Sequence, residues 1–426
     1  MSLDRTIAPD FKVINSVNLP EPKTYNLDNG IALHVINIGE QPVIRLECIF
    51  EAGSWYEKHI GASYFAIKML SEGTVNMTSQ EISESFDRLG AFTEMTHTAD
   101  RIGVVVYCLS RFLPEVLSLV SQLISDASFP EKELQELRNI TIQNLKVNKE
   151  KNAYLATTEF REKLFGIDHP YGQSQDEINI TKLSIDSILE HYNRFVKSGR
   201  FTVVLAGQVA ESDVRVVNET LGRSQYTIDA YNGIFAPSVS YQNTEALVEK
   251  PESVQSSIRM GRILFNRHHE DYFKMLVTNE ILGGYFGSRL MKNIREEKGL
   301  TYGISSYLVT LRNEGYFMIG TDVKKEFTQQ TIGEIKKEIH KLQNELVTEE
   351  ELTTVKNFMA GEFAGSLNTA FEVADRQKVL LLDGLPADFY NHYIDNIHAT
   401  TSEDVLLMAK RYLQPEDMLT VIAGGK

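Results

Sequence analysis

Cysteine is almost missing from this chain: two residues, Cys48 and Cys108, in 426. Two thiols exclude a disulfide framework and a four-thiolate zinc site. Both sit in apolar runs, so they read as buried free thiols. An excess of basic charge is also missing. With 43 Lys and Arg against 58 Asp and Glu the formal charge is −15, which argues against a broad basic surface for nucleic acid or anionic membrane. No stretch approaches the ~20 consecutive apolar residues that span a bilayer. The opening residues show no basic segment followed by an apolar one, so no secretory leader is read there. The expectation is a cytoplasmic protein in a reducing compartment, with the periplasm as the alternative if a leader has been removed.

What is present is a globular composition, 42% hydrophobic and 24% charged, over a length that suits two or three domains. An internal repeat organises it. Phe201-Thr-Val-Val-Leu-Ala-Gly207 returns as Met418-Leu-Thr-Val-Ile-Ala-Gly424, an offset of 217 (424 − 207). Without gaps, the same offset pairs Arg194-Phe195 with Arg411-Tyr412, Ile188-Leu189 with Val405-Leu406, and Ile180 with Ile397. Each copy reads as a helix (184–196 and 402–413) leading into a short apolar strand that ends in Gly. The chain therefore divides into two homologous halves, residues 1–222 and 253–426, joined by a Pro- and Ser-containing linker at 223–252 that runs into the second half's first strand. Alternation predicts strands at 31–38, 43–50 and 254–265; helical spacing predicts helices at 79–89, 114–125, 132–149 and 329–344. Acidic starts at Pro130-Glu-Lys-Glu and Thr348-Glu-Glu-Glu suit the positive end of a helix. The fold class expected is α+β: two homologous α/β sandwich domains, each a largely antiparallel sheet with helices on one face.

Two features tempt and fail. Gly283, Gly284 and Gly287 do not have the phosphate-loop spacing, and a helix rather than a strand precedes them. His268-His269-Glu270-Asp271 is the sole histidine cluster, but adjacent helical residues diverge by ~100°, so a capped helix start is expected there rather than a metal site.

The segment Gly61-Ala-Ser-Tyr-Phe-Ala-Ile-Lys-Met-Leu-Ser-Glu-Gly-Thr74, following Ala52-Gly-Ser54, resembles the inverted-motif zinc peptidases of the pitrilysin and insulinase family. Gly61, Met69, Leu70, Gly73 and Thr74 match. Where the family has His, Glu and His, this chain has Tyr64, Ile67 and Lys68. The family's further Glu ligand falls at Asn144, whose spacing from Leu137 and Ile140 predicts an inward-facing side chain. A catalytic zinc needs three N, O or S ligands plus an open position, with a carboxylate base beside it. All four positions are changed together, so no metal and no catalytic residue is expected in this chain.

The second half is different. Ile281-Leu-Gly-Gly-Tyr-Phe-Gly-Ser-Arg-Leu-Met-Lys-Asn-Ile-Arg-Glu-Glu-Lys-Gly-Leu-Thr-Tyr-Gly303 resembles the family's second-half signature through Leu282, Gly283, Gly284, Ser288, Arg289, Leu290, Arg295, Glu296, Gly299, Leu300 and Tyr302. The resemblance implies that Arg295 and Tyr302 reach across a cavity to a substrate peptide. Taken from the residues alone, Arg295 could instead pair with a neighbouring carboxylate and Tyr302 pack at a helix end. The expectation is a non-catalytic, substrate-binding subunit of a heterodimeric zinc endopeptidase, inactive alone. Its partner would be a zinc-bearing homologous subunit, and the pair would act on peptides or unfolded segments in a closed chamber. The alternative is an inactive structural or peptide-binding scaffold, as a homodimer or part of a larger assembly.

Overall fold

The computed structural model describes residues 13–197, 201–223 and 244–425. Most of the expected linker, 224–243, lies outside the described residues, as do the opening twelve. The first half builds six strands: β1 (Lys23–Asn26), β2 (Ala32–Asn37), β3 (Val43–Phe50), β4 (Phe92–His97), β5 (Ile102–Leu109) and β6 (Phe201–Gly207). The second builds β7 (Glu245–Glu249), β8 (Gln255–Leu264), β9 (Thr301–Thr310), β10 (Gly315–Lys324) and β11 (Leu419–Gly424). The sheet orders are β1-β2-β6-β3-β5-β4 and β7-β11-β8-β10-β9. Apart from the added β1 the two match, each with one parallel pair, β2 with β6 and β7 with β11. β7 falls within the last part of the expected linker. β1 carries too few apolar residues to announce itself: none of Lys23-Thr-Tyr-Asn26 is buried.

The helices of the first half are α1 (Ala62–Lys68), α2 (Ser79–Arg88), α3 (Leu113–Ser125), α4 (Glu131–Lys149), α5 (Asn152–Phe165), α6 (Glu177–Lys182), α7 (Ile185–His191) and α8 (Glu211–Thr220). Those of the second are α9 (Tyr272–Asn279), α10 (Thr328–Asn344), α11 (Glu349–Gly365), α12 (Ala370–Asp383), α13 (Tyr393–Ala399) and α14 (Ser402–Tyr412). The two repeats end alike. Gly207 and Gly424 have φ of +124° and +133°, and a Cβ on Gly424 would stand 2.5 Å from the Gln255 carbonyl oxygen, so only glycine closes these strands. No helix among the described residues is long and apolar enough to cross a membrane.

The 217 offset exposes an exchange. It maps α5 onto α12, and each of these helices packs on the other half's sheet. Phe160 and Leu164 of α5 join Tyr316, Leu419 and Val421 of the second sheet. Val373, Ala374 and Leu380 of α12 join Ile36, Ile49, Val204 and Ala206 of the first. The central strands β6 and β11 are thereby covered on both faces, which explains why each is apolar but for a single threonine, Thr202 and Thr420.

A closed ring of charge fixes α12 to the first sheet. Arg45 binds both carboxylate oxygens of Asp375, at 2.8 and 3.2 Å. Lys378 donates to Glu47 at 2.8 Å and to Asp375 at 3.0 Å. Arg45 Nη2 closes the ring 2.7 Å from Glu47 Oε1, a charge contact without the alignment of a hydrogen bond. Beside it Arg101 bridges Glu51 and Asp383 at 2.9 Å each, and Arg312 also contacts Glu51. Both cysteines are buried free thiols; burial pushes both up, Cys108 to about 11.

Candidate functional site

Gly61, with φ of +95°, starts α1. Glu57 receives the amides of Gly61 and Ser63 at 3.0 Å each and the Ser63 hydroxyl at 2.7 Å. Burial raises this carboxyl and the three donors oppose the rise. Ser63 Oγ also lies 2.8 Å from His97 Nε2 on β4. A hydroxyl has one proton, and Ser63 gives it to Glu57, so Nε2 of His97 donates and Nδ1 is left as an acceptor. Burial, aided by the Lys68 charge, pushes His97 down to about 4, so the ring is neutral at pH 7.

The three altered positions on α1 have distinct fates. Tyr64 meets His97 edge-on at 5.6 Å and lines a cavity of about 410 Å³ with Glu57, His97, Tyr154 and Arg161. Ile67 is fully buried in the first-half core. The Lys68 ammonium donates to the Met95 carbonyl at 2.7 Å. Asn144 corrects an expectation: it is exposed, not inward-facing. The core side of α4 is set by Leu134 and Leu145, and at 100° per residue Asn144 lies about 80–100° round the helix from them, near the exposed Ile140 and Val147. Phenol, alkyl, ammonium and amide do not make a zinc site. Among the described residues no trio of His, Cys, Asp or Glu is placed to hold a metal.

The histidine cluster does begin a helix, α9, but Asp271 does not cap it with its side chain. Its carboxylate accepts instead from Arg411 at 2.8 Å and Tyr412 at 2.6 Å, and His269 stacks on Phe265 at 4.0 Å.

Most of the second-half signature is structural. Leu282, Leu290 and Leu300 are core, and Arg289 forms a bidentate pair with Glu351 at 2.7 and 2.8 Å. A Cβ on Gly283 would stand 2.7 Å from Ser306 Oγ, and one on Gly284 would collide with the Glu280 carboxylate. Glu280 is pushed up to about 7, by burial and then by Glu362. Gly284, Glu296, Gly299 and Tyr302 of the signature are exposed, and Arg295 is half-buried. Arg295 has no carboxylate within ion-pairing distance among the described residues; its guanidinium carbon lies 4.5 Å from the Phe286 ring centre and 5.4 Å from that of Tyr302. Tyr302 is 92% exposed at the start of the edge strand β9, not packed at a helix end. With their faces stacked on rings, the N–H groups of Arg295 are the part left to bond a ligand.

Tyr302 also lines a second cavity, of about 510 Å³, with Thr157, Arg259, Ser305 and Tyr307. Thr157 belongs to α5, as do Tyr154, Thr158 and Arg161, and all four fall within about 100° of one helix face. That face therefore fronts both cavities. Nothing in the motifs marked Glu57, Ser63, His97, Phe286 or Arg259. The one available signal was a charged residue between two apolar ones within a strand, as Arg259 stands between Ile258 and Met260.

Comparison with known proteins identifies the family. Residues 37–171 match the family described as Insulinase (Peptidase family M16), and residues 182–359 match the Peptidase M16 inactive domain. The uncharacterized zinc protease YmxG of Bacillus subtilis is 25% identical, over 94% of this chain and 98% of its own length. The non-peptidase homolog YmxG of Helicobacter pylori is 20% identical over 88% and 87%. Subunit 1 of the bovine mitochondrial cytochrome b-c1 complex, a member of an assembly by its name, is 25% identical over 45% of this chain and 40% of its own. A peptidase M16 inactive domain from Pseudomonas fluorescens superposes with a TM-score of 0.87 at 23% identity, over 95% of this chain and 98% of that one. The chain belongs to the insulinase family, peptidase family M16, as a degenerate, inactive member.

Proposed function

We propose that this chain is the non-catalytic, substrate-binding subunit of a heterodimeric zinc endopeptidase of the cytoplasm. Zinc and the catalytic carboxylate reside in a homologous partner, and peptides or unfolded segments are cleaved in the chamber between the two. The observation that carries the reading is the contrast between the halves. Tyr64, Ile67 and Lys68 stand at the positions matched to the metal site, while Tyr302 is exposed and the half-buried Arg295 beside it has no carboxylate partner among the described residues. A scaffold has no chemical need for an unpaired guanidinium beside an exposed phenol. In a peptidase pair these groups bond the carbonyl oxygens of an extended peptide and stabilise developing negative charge. The test is co-expression with a similar-length homologue carrying the intact His-x-x-Glu-His, followed by a fluorogenic peptidase assay with and without chelator. Chelator-sensitive hydrolysis that needs both chains supports the reading. Full activity of the homologue alone overturns it in favour of the scaffold role, for which membership of the b-c1 assembly by a relative gives the precedent.

A further inference from the structure

The exchanged helices create two related cavities, one between α12 and the first sheet and one between α5 and the second. In the first, which Arg45, Glu47, Asp375 and Lys378 line, α12 brings Asp375 to Arg45 and Lys378 to Glu47. The 217 offset places Thr158 and Arg161 of α5 where α12 has Asp375 and Lys378. To the second cavity α5 brings a single hydroxyl, that of Thr157, and no carboxylate.

Arg259 of β8 is the cation of the second cavity. Its side chain is 12% exposed. Nε donates to Thr157 Oγ1 at 3.0 Å and Nη1 to the Ile258 carbonyl at 2.9 Å, while Nη2 has a single long bond, 3.5 Å, to the Ala153 carbonyl. Asp322 Oδ1 stands 3.7 Å from Nη1 and accepts the Ser257 hydroxyl at 2.5 Å. The register explains the open space over this guanidinium. Arg259 faces Gly320 on β10, and Gly320 faces Ser305 on β9. A Cβ on Gly320 would touch the Arg259 side chain at 3.5 Å, so the arginine lies across the glycine toward the edge strand. There Gly303 and Ser305 leave a gap between Tyr302 and Tyr307, and β9 has no strand on its outer side among the described residues.

We infer that the Arg259 cavity is a side-chain pocket for a carboxylate, the Glu or Asp of an extended peptide that lies along β9 beside Arg295 and Tyr302. The inference rests on the peptide-binding role proposed above and adds a preference to it. A strand added to β9 sends alternate side chains to the cavity face. One of them passes over Ser305 and meets Nη2 of Arg259, with the hydroxyls of Thr157, Thr301 and Tyr302 around it. An arginine bridging two carboxylates has a precedent in the same molecule, since Arg45 contacts both Glu47 and Asp375. The overall charge of −15 repels acidic peptides at long range, so a preference for them can come only from a local pocket such as this.

The test uses the full chain and fluorescein-labelled nonapeptides identical except for a central Glu, Gln or Lys, read by anisotropy. A bond to a charged group corresponds to a discrimination of about 10-fold to 100-fold, so the Glu peptide should bind at least about tenfold more tightly than its Gln twin. Arg259→Gln should bring that ratio to about one. Ser305→Glu, which sets a carboxylate at the mouth of the pocket without touching the buried arginine, should do the same. Circular dichroism melts check that both variants are folded. Peptides that bind without preference for Glu overturn the pocket and leave the peptide-binding role standing; no binding of any peptide overturns both. A Glu preference that survives both substitutions places the recognition elsewhere and overturns the assignment to Arg259.

Discussion

Glu47→Gln is the sharpest test of the charge ring that fixes α12 to the first sheet. The substitution keeps shape and volume and removes one negative charge from a site 4% exposed. Arg45, itself 5% exposed, and Lys378 must then share Asp375, which is half-exposed. Removing one member of a buried pair costs about 3–5 kcal/mol, whereas an exposed pair contributes under about 1 kcal/mol. Because Asp375 still answers one cation and Lys378 is 27% exposed, the lower end applies, about 3 kcal/mol. Urea unfolding measures it with two probes. Trp55, the only tryptophan, sits among Phe160, Tyr171 and Tyr316 where α5 meets the second sheet, and its fluorescence follows that junction. Far-UV dichroism follows the helices, and a chain of this size need not unfold in one step. Replacing the whole ring at once (Arg45→Met, Glu47→Leu, Asp375→Leu, Lys378→Met) should be nearly neutral, since no charge is left stranded. A loss below about 0.5 kcal/mol for Glu47→Gln would mean that water screens the ring as it does a surface pair, and the burial argument would fail.

Three further outcomes are expected. His97 is held at about 4 by burial and Lys68, against about 6.5 when unfolded, so between these values the unfolded chain takes up the proton first and stability falls as pH drops. His97→Gln should flatten the fall in urea stability between pH 7 and pH 4 by a few kcal/mol at most; an unchanged slope would place that titration elsewhere. In the reconstituted heterodimer Arg295→Ala or Tyr302→Phe should lower kcat/KM by about 10²–10³-fold if the groups act on the transition state, with zinc content and dimer formation unaltered. Unchanged hydrolysis in both variants would reduce the chain to a chamber wall. The combined change Tyr64→His, Ile67→Glu, Lys68→His and Asn144→Glu should create binding of one zinc ion per chain by metal analysis; a folded variant with the parent's metal content would show that α1 and α4 no longer have the spacing of the family site.

How far sequence reasoning reached depended on whether local pattern and tertiary environment agreed. α3 and α4 begin within one residue of expectation because acidic or proline starts and apolar spacing coincide, and α10 does so on apolar spacing alone. The duplicated ends were legible because strand, turn and glycine recur in one register. Asn144 was misjudged because Leu137 and Ile140 suggested a stripe that Leu134 and Leu145 define instead. The exchange of α5 and α12 was invisible, since a period reveals that a face is apolar and not which sheet covers it. Arg295 and Tyr302 could be read because they sit in a long signature. Arg259 could not, because its meaning lies in Gly320 and Ser305, distant in sequence and adjacent only through strand register.

The exchange of α5 and α12 has a consequence for synthesis. β6 completes the first sheet at Gly207, but Ala374, which covers it from α12, is made 167 residues later (374 − 207). At about 5–20 residues per second, that interval is roughly 8–33 s. Throughout it Ile36, Ile49, Val204 and Ala206 face solvent bare on a finished sheet, an aggregation-prone surface of the kind chaperones hold. The first half on its own would keep that surface for good. Ribosome-bound chains stalled between residues 207 and 374 should therefore recruit a holdase, and release it once α12 has emerged.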